Sequence, residues 1–230
     1  MKNICVIPAR GGSKRIPRKN IKPFMGKPII AYSIEAALKS GLFDEVVVST
    51  DDKEFAEVAR KYGASVPFMR SDQNSNDYAG TDAVVLEVLN EYKKQGKEFD
   101  NFCCLYSTAP FVTPERLKEG FELLGENADA SFTVVQYSYP IQRSLKKNTD
   151  GFLEMNFPQY YDTRTQDLEP IYHDAGQFYF VKTSVFYDEF TFWCKRSAPL
   201  VLSELEVQDL DTPTDWALAE IKYKLTRPNG

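Results

Sequence analysis

Over roughly the first 140 residues, short β-branched and apolar runs alternate with stretches whose apolar positions recur every three or four residues. That alternation marks βαβ units around a mostly parallel sheet. Asn3–Pro8 reads as the first strand. Residues 28–40 read as a helix, with Ile30, Ile34, Ala37 and Leu38 on one face and Gly41 as its stop. A strand at 45–50 follows, then a helix at 52–62 with Gly63 behind it and a third strand at 65–69. A longer amphipathic helix is predicted at 81–95 and a buried strand at 99–106. Thr113 and Pro114 supply the N-cap and first-turn proline of another helix, and 131–136 reads as a strand.

There the pattern changes. Residues 139–171 are rich in Pro, Gln, Asn, Tyr and Thr with little periodicity, and read as an excursion from the core. A strand returns at 176–182, and Thr212 and Pro213 open a last helix running to about Leu225. The expectation is one α/β domain over 1–230, a mostly parallel central sheet with flanking helices and a small inserted segment. In open α/β sheets, ligands collect beyond the carboxyl ends of the strands. Those ends carry Pro8-Ala9-Arg10, Ser49-Thr50-Asp51 and Ser107-Thr108-Ala109-Pro110, so the site is expected where they converge.

Composition adds boundaries. With 43% apolar and 27% charged residues and no apolar run of bilayer length, the chain reads as an ordinary globular protein with no membrane partner. The N-terminal stretch is interrupted too early, by Pro8 and Arg10, to be a secretory leader, which predicts a cytoplasmic protein. Cys5, Cys103, Cys104 and Cys194 have no metal or disulfide spacing; Cys103 and Cys104 should point to opposite faces of a strand as reduced, buried thiols.

Net charge changes the picture more. The whole chain carries -5, yet residues 1–34 hold eight basic side chains and no acidic one, which leaves -13 on the remainder. A compact cationic site on an acidic body suits a small polyanion and argues against a nucleic-acid partner.

The candidate chemistry starts in that cationic stretch. Residues 8–20 follow a strand and place Gly11 and Gly12 where backbone amides approach phosphate oxygens, with Ser13 beside them and Arg10, Lys14 and Lys19 around them. The spacing is neither that of a Walker A loop nor GxGxxG. A solvated basic loop would explain the charge but not two glycines directly after a buried strand. Further on, Asp209 and Asp211 are alternate residues in an extended segment, so both carboxylates can face one side as hard ligands for a divalent cation beside phosphates. Taken alone, Asp211 could equally be negative charge ahead of a helix capped by Thr212. His173 is the only histidine, which rules out a multi-histidine zinc site. Arg164 is a candidate partner for a carboxylate, because arginine pairs with one bidentately; an exposed loop arginine is the equal alternative.

The 8–20 segment resembles the sugar-acid cytidylyltransferases, the group that contains the CMP-sialic acid synthetases, and the likeness extends through most of the chain. Residues 47–52, Arg70 with Asp77 and Thr81, residues 105–110 and residues 209–212 resemble that family's second strand and turn, nucleotide loop, sugar-side strand end and metal-binding turn. The resemblance implies a nucleotide-diphospho-sugar transferase fold, CTP as substrate, Mg2+ as cofactor, a dimer made by the inserted segment, and attack of a sugar anomeric hydroxyl on the α-phosphorus of CTP. It assigns Ala9, Arg10, Gly11, Gly12, Ser13, Lys14, Lys19, Asn20, Arg70, Asp77 and Thr81 to the nucleotide. By the same resemblance Lys19, Arg10 and Asp211 are expected to carry catalysis, and Asp209 and Asp211 the metal.

Two segments depart from the sialic acid pattern. Tyr106 stands where glutamine is common, and residues 172–179 replace an Arg-Pro-Asn-Gly-like run. Both are similar to the branch that activates pseudaminic acid, a nonulosonic acid used in bacterial surface glycosylation. The sugar is accordingly expected against Tyr106, Ser107, Thr108, Arg164, His173, Asp174, Gln177 and Tyr179. Legionaminate, N-acetylneuraminate or Kdo as acceptor, a hydrolase of a phosphorylated metabolite, and a CTP-binding regulator are the alternatives.

Overall fold

A computed structural model describes residues 1–76 and 79–227. In chain order the elements are β1 (Asn3–Pro8), β2 (Pro23–Phe24), β3 (Lys27–Pro28), α1 (Ile30–Ser40), β4 (Glu45–Ser49), α2 (Lys53–Lys61), α3 (Asp72–Ser75), α4 (Thr81–Lys94) and β5 (Asn101–Leu105). They continue with α5 (Pro114–Leu123), β6 (Ala130–Gln136), β7 (Leu145–Lys147), β8 (Leu153–Met155), β9 (Tyr172–Lys182), α6 (Thr183–Glu189), β10 (Ser197–Leu202) and α7 (Pro213–Thr226). No helix of the described residues is long and apolar enough to cross a membrane.

Six strands form one sheet in the order β10-β6-β9-β5-β1-β4. Every neighbouring pair is parallel except the two that involve β9, which runs against both β5 and β6. The expected mostly parallel sheet with flanking helices is therefore present. Its two faces bury separate apolar clusters: Cys103 joins one with Cys5, Ile7 and Phe178, and Cys104 the other with Val6, Val85 and Tyr179. Alternation along β5 explains this directly. All four cysteines are free and buried.

A third cluster matters more for the site. Ile16 from the N-terminal loop, Leu210 from the segment before α7, and Phe24, Tyr32, Trp216 and Tyr223 pack together. Phe24 meets Tyr32, Trp216 and Tyr223 edge-on at ring-centroid distances of 5.6, 5.6 and 5.4 Å. Such contacts tie the basic loop and the acidic segment to one rigid support, although nearly 200 residues separate them.

Several expected elements are corrected. Residues 65–69 are not a strand: Ser65 makes a single bridge to Val47, and Pro67, which has no N–H to donate, ends the pairing. Pro28 pairs with Pro23 in a two-stranded ribbon, so α1 begins at Ile30. The strand expected at 176–182 starts four residues earlier, with Gly176 at φ +60°, a conformation glycine adopts without strain. Residues 139–171 contain the β7–β8 hairpin and leave and rejoin the sheet at adjacent points, where Tyr137 N–H donates to the Ile171 carbonyl at 2.9 Å. Both α6 and β10 escape the pattern reading. The first is seven residues long, and the second is an edge strand carrying Pro199, a residue edges tolerate.

Candidate functional site

The carboxyl ends of β1, β4 and β5 meet at one sheet edge, as parallel strands require. Ala9 is buried and continues β1, its N–H donating to the Ser49 carbonyl at 2.9 Å. The loop then turns outward. Gly11 N–H donates to Asp51 Oδ1 at 2.8 Å, and a Cβ at Gly11 would lie 3.0 Å from Asp52 Oδ2, which accounts for glycine there. Among the described residues a Cβ at Gly12 would meet nothing within 4 Å, so a ligand can come close to that backbone. Arg18 holds the loop's far end: its guanidinium bonds Asp52 and Glu54 and lies 4.8 Å from the Phe55 ring centroid. Buried Asn20 donates to the Arg10 carbonyl at 2.9 Å and accepts from Ser107 Oγ at 3.0 Å, joining the loop to the end of β5.

Between these elements lies a cleft of about 450 Å³ lined by Arg10, Ser13, Lys14, Arg15, Lys19, Asn20, Arg70, Tyr106, Ser107 and Thr108. It gathers most of the residues assigned to the nucleotide and three of those assigned to the sugar. Arg70 forms a buried part of the wall, where its guanidinium donates to Ser49 Oγ at 3.0 Å and to the Ser49 carbonyl. Burial lowers the Arg70 pKa, but an arginine remains charged in a protein. Thr81 opens α4 and hydrogen-bonds the Tyr106 hydroxyl. Burial above all pushes that hydroxyl up to about 12, so Tyr106 is a neutral phenol at physiological pH. Asp77 lies outside the described residues.

The acidic pair comes to the same edge from the other end of the chain. Asp211 Oδ1 accepts from Arg15 Nη2 at 2.7 Å and stands 3.8 Å from Lys19 Nζ, which itself donates to the Leu210 carbonyl at 2.7 Å. Burial pulls the Lys19 pKa down, while Asp211 and Asp209 pull it up. Two carboxylates thus act on one half-buried ammonium. Among the described residues no three His, Cys, Asp or Glu side chains are grouped to hold a metal. A pair of hard oxygen donors nevertheless fits magnesium, which takes its remaining ligands from phosphates and water.

A second cavity of about 390 Å³ adjoins the start of β9, lined among others by Gln136, Tyr137, His173, Asp174, Glu204, Asp209 and Lys222. His173 packs against Tyr137 at 4.9 Å between ring centroids and directs Nδ1 at the Asp174 carbonyl, 2.8 Å away. Both Asp174 carboxylate oxygens are engaged, one by Gly176 N–H at 2.9 Å and the other by the Tyr179 hydroxyl. Tyr179 is buried, with its ring centroid 5.6 Å from that of Tyr106. Gln177 is buried as well and spends its amide on the Glu206 carbonyl at 2.5 Å. Arg164 lines neither cavity: it is exposed in the inserted segment and pairs with Asp167 at 2.7 Å. The sequence pattern singles out neither Arg15 nor Lys222: Arg15 is one cation among eight, and nothing local distinguishes Lys222.

A family model described as cytidylyltransferase matches residues 4–217. The chain belongs to that family. The enzyme is 46% identical to the pseudaminic acid cytidylyltransferase of Campylobacter jejuni over the full length of both chains. It is 36% identical to the CMP-N,N'-diacetyllegionaminic acid synthase of Legionella pneumophila, over 99% of this chain and 98% of that one. A solved CMP:2-keto-3-deoxy-manno-octonic acid synthetase complexed with CTP superposes with a TM-score of 0.69 at 20% identity, covering 99% of this chain and all of the other. That likeness bears out the expected transferase fold.

Proposed function

We propose that the enzyme transfers CMP from CTP to the anomeric hydroxyl of pseudaminic acid, releasing pyrophosphate. The observation that carries the reaction is the cleft in which Arg10, Lys14 and Lys19 face a strand end beside the Asp209–Asp211 turn. The acceptor follows from the 46% identity to the Campylobacter jejuni enzyme, together with Tyr106, whose ring lines the cleft and offers apolar surface to a sugar bearing acyl and methyl groups.

In this reading Arg10, Lys14 and Lys19 bind the triphosphate, and the open side of Gly12 lets phosphate oxygens approach the backbone. Catalysis is positioning and charge neutralisation. The anomeric oxygen forms a bond to the α-phosphorus as the bond from that phosphorus to the pyrophosphate oxygen breaks. When bound at Asp209 and Asp211, magnesium supplies further neutralisation of the phosphate oxygens. Asn20 and Ser107 keep the loop in register with the end of β5, while Asp174 and Gln177 brace the sugar side rather than contact the sugar.

Incubation with each nucleoside triphosphate, magnesium and a panel of nonulosonic acids, read by pyrophosphate release and product mass, tests the assignment. Pyrophosphate and CMP-pseudaminic acid are expected from CTP alone. Equal kcat/KM with N-acetylneuraminate would overturn the acceptor, and no pyrophosphate with any acceptor would overturn the reaction.

The inserted segment supports a homodimer. Tyr139, Leu145, Phe152, Leu153 and Tyr161 are all exposed on or beside the β7–β8 hairpin, the kind of apolar surface that a subunit contact would cover. Phe152→Asp with Leu153→Asp is expected to give a monomer by light scattering; an unchanged mass would remove the hairpin from the interface.

A further inference from the structure

Residues 207–212, which carry both aspartates of the acidic pair, have no helix or strand of their own. Backbone carbonyls in such a stretch need partners from side chains or water. Three carbonyls in and beside it receive side-chain donors from three separate elements. Gln177 of β9 holds Glu206 at 2.5 Å, Lys222 of α7 holds Val207 at 2.7 Å, and Lys19 of the basic loop holds Leu210 at 2.7 Å. The Leu210 side chain is buried between Ile16 and Trp216, which fixes the middle of the stretch. Asp211 N–H at its far end donates to Asp215 Oδ2 at 3.1 Å.

Lys222 is the donor without an explanation. It lies outside the cationic cleft and is half-buried in the wall of the second cavity, where Glu204 is the carboxylate that acts on its charge and Asp209 is another lining residue. A half-buried ammonium set on a neutral carbonyl gives little net stability, because desolvation offsets the hydrogen bond. Its geometry is informative instead: Val207 is two residues before Asp209, so the backbone from which Asp209 projects is fixed where Lys222 grips it.

We propose that Lys222 is a positioning residue that, by holding the Val207 carbonyl, sets Asp209 relative to Asp211 for binding the divalent cation. This rests on reading the two aspartates as the metal site. Partners that orient metal ligands typically change affinity by about 10- to 100-fold when removed.

The test is titration of Mn2+ into the CTP-bound enzyme without acceptor, followed by electron paramagnetic resonance, together with thermal melting. Lys222→Met is expected to raise the half-saturating Mn2+ concentration about tenfold, with full kcat regained at saturating metal. Lys222→Arg, which keeps N–H donors at that point, should recover most of the affinity. Lys222→Leu, which also lacks a donor, takes the place of the methionine variant if that one does not fold. Wild-type Mn2+ affinity in a folded Lys222→Met or Lys222→Leu enzyme overturns the proposal. Asp209→Asn and Asp211→Asn separate the two levels. If they weaken Mn2+ binding while the Lys222 variants do not, the positioning role fails alone; if they leave it unchanged, the metal reading fails and takes the proposal with it.

Discussion

The cation-lined cleft takes eight of its residues from the single run 8–20, joined by Arg70 and by the end of β5. By contrast, the second cavity is assembled from the end of β6, the start of β9, the stretch after β10 and one lysine of α7. A contiguous loop after a strand can be read as a unit, since its glycines, cations and strand-end position all refer to one another. A cavity made of four remote pieces cannot, because each piece acquires its role only through the others. In the proposed function the difference also separates two jobs: chemistry shared across the family with the nucleotide on one side, and choice among sugar acids on the other.

If that separation holds, damage to the two regions should differ in kind. The largest effect is expected for Lys19→Ala, which removes the proposed phosphate partner and the clamp on Leu210 together. Its kcat should fall by roughly 10²- to 10³-fold, equally for every acceptor the enzyme accepts, as measured by CTP-dependent pyrophosphate release. A loss confined to one sugar would break the comparison. A smaller effect is expected for Tyr106→Gln, at the boundary between the regions. Loss of the ring and of its hydrogen bonds to Thr81 and Tyr179 should raise KM for pseudaminic acid about tenfold, an energy of about 1.4 kcal/mol, and leave KM for CTP within about threefold. Equal shifts in the two constants would move Tyr106 into the nucleotide site.

Legibility in the sequence followed the same division. Asn3–Pro8 was read to the residue, and the caps at Thr113 and Thr212 are in place, the second as a reciprocal capping box with Asp215. These features are set by neighbours along the chain. The direction of β9 is not, since nothing within 172–182 records that it runs against β5 and β6. Arg15 found its carboxylate 196 residues away, and Gln177, expected against the sugar, is instead tied to the Glu206 backbone. Arg164 shows the reverse: its residue type suits a carboxylate, yet its place in the excursion gives it Asp167 three residues along. Residue type is a local property, whereas access to a cavity depends on how distant segments pack.

The four buried thiols have a practical consequence. A folded enzyme with no accessible sulfur is silent toward maleimides, so the rate at which label appears counts openings of the structure rather than encounters with its surface. Cys5, Cys103 and Cys104 lie in adjacent strands at the heart of the sheet and share one clock, whereas Cys194, in the loop leading to edge strand β10, keeps a second. The native cysteines therefore form a built-in chemical stopwatch for the sheet's centre and its edge.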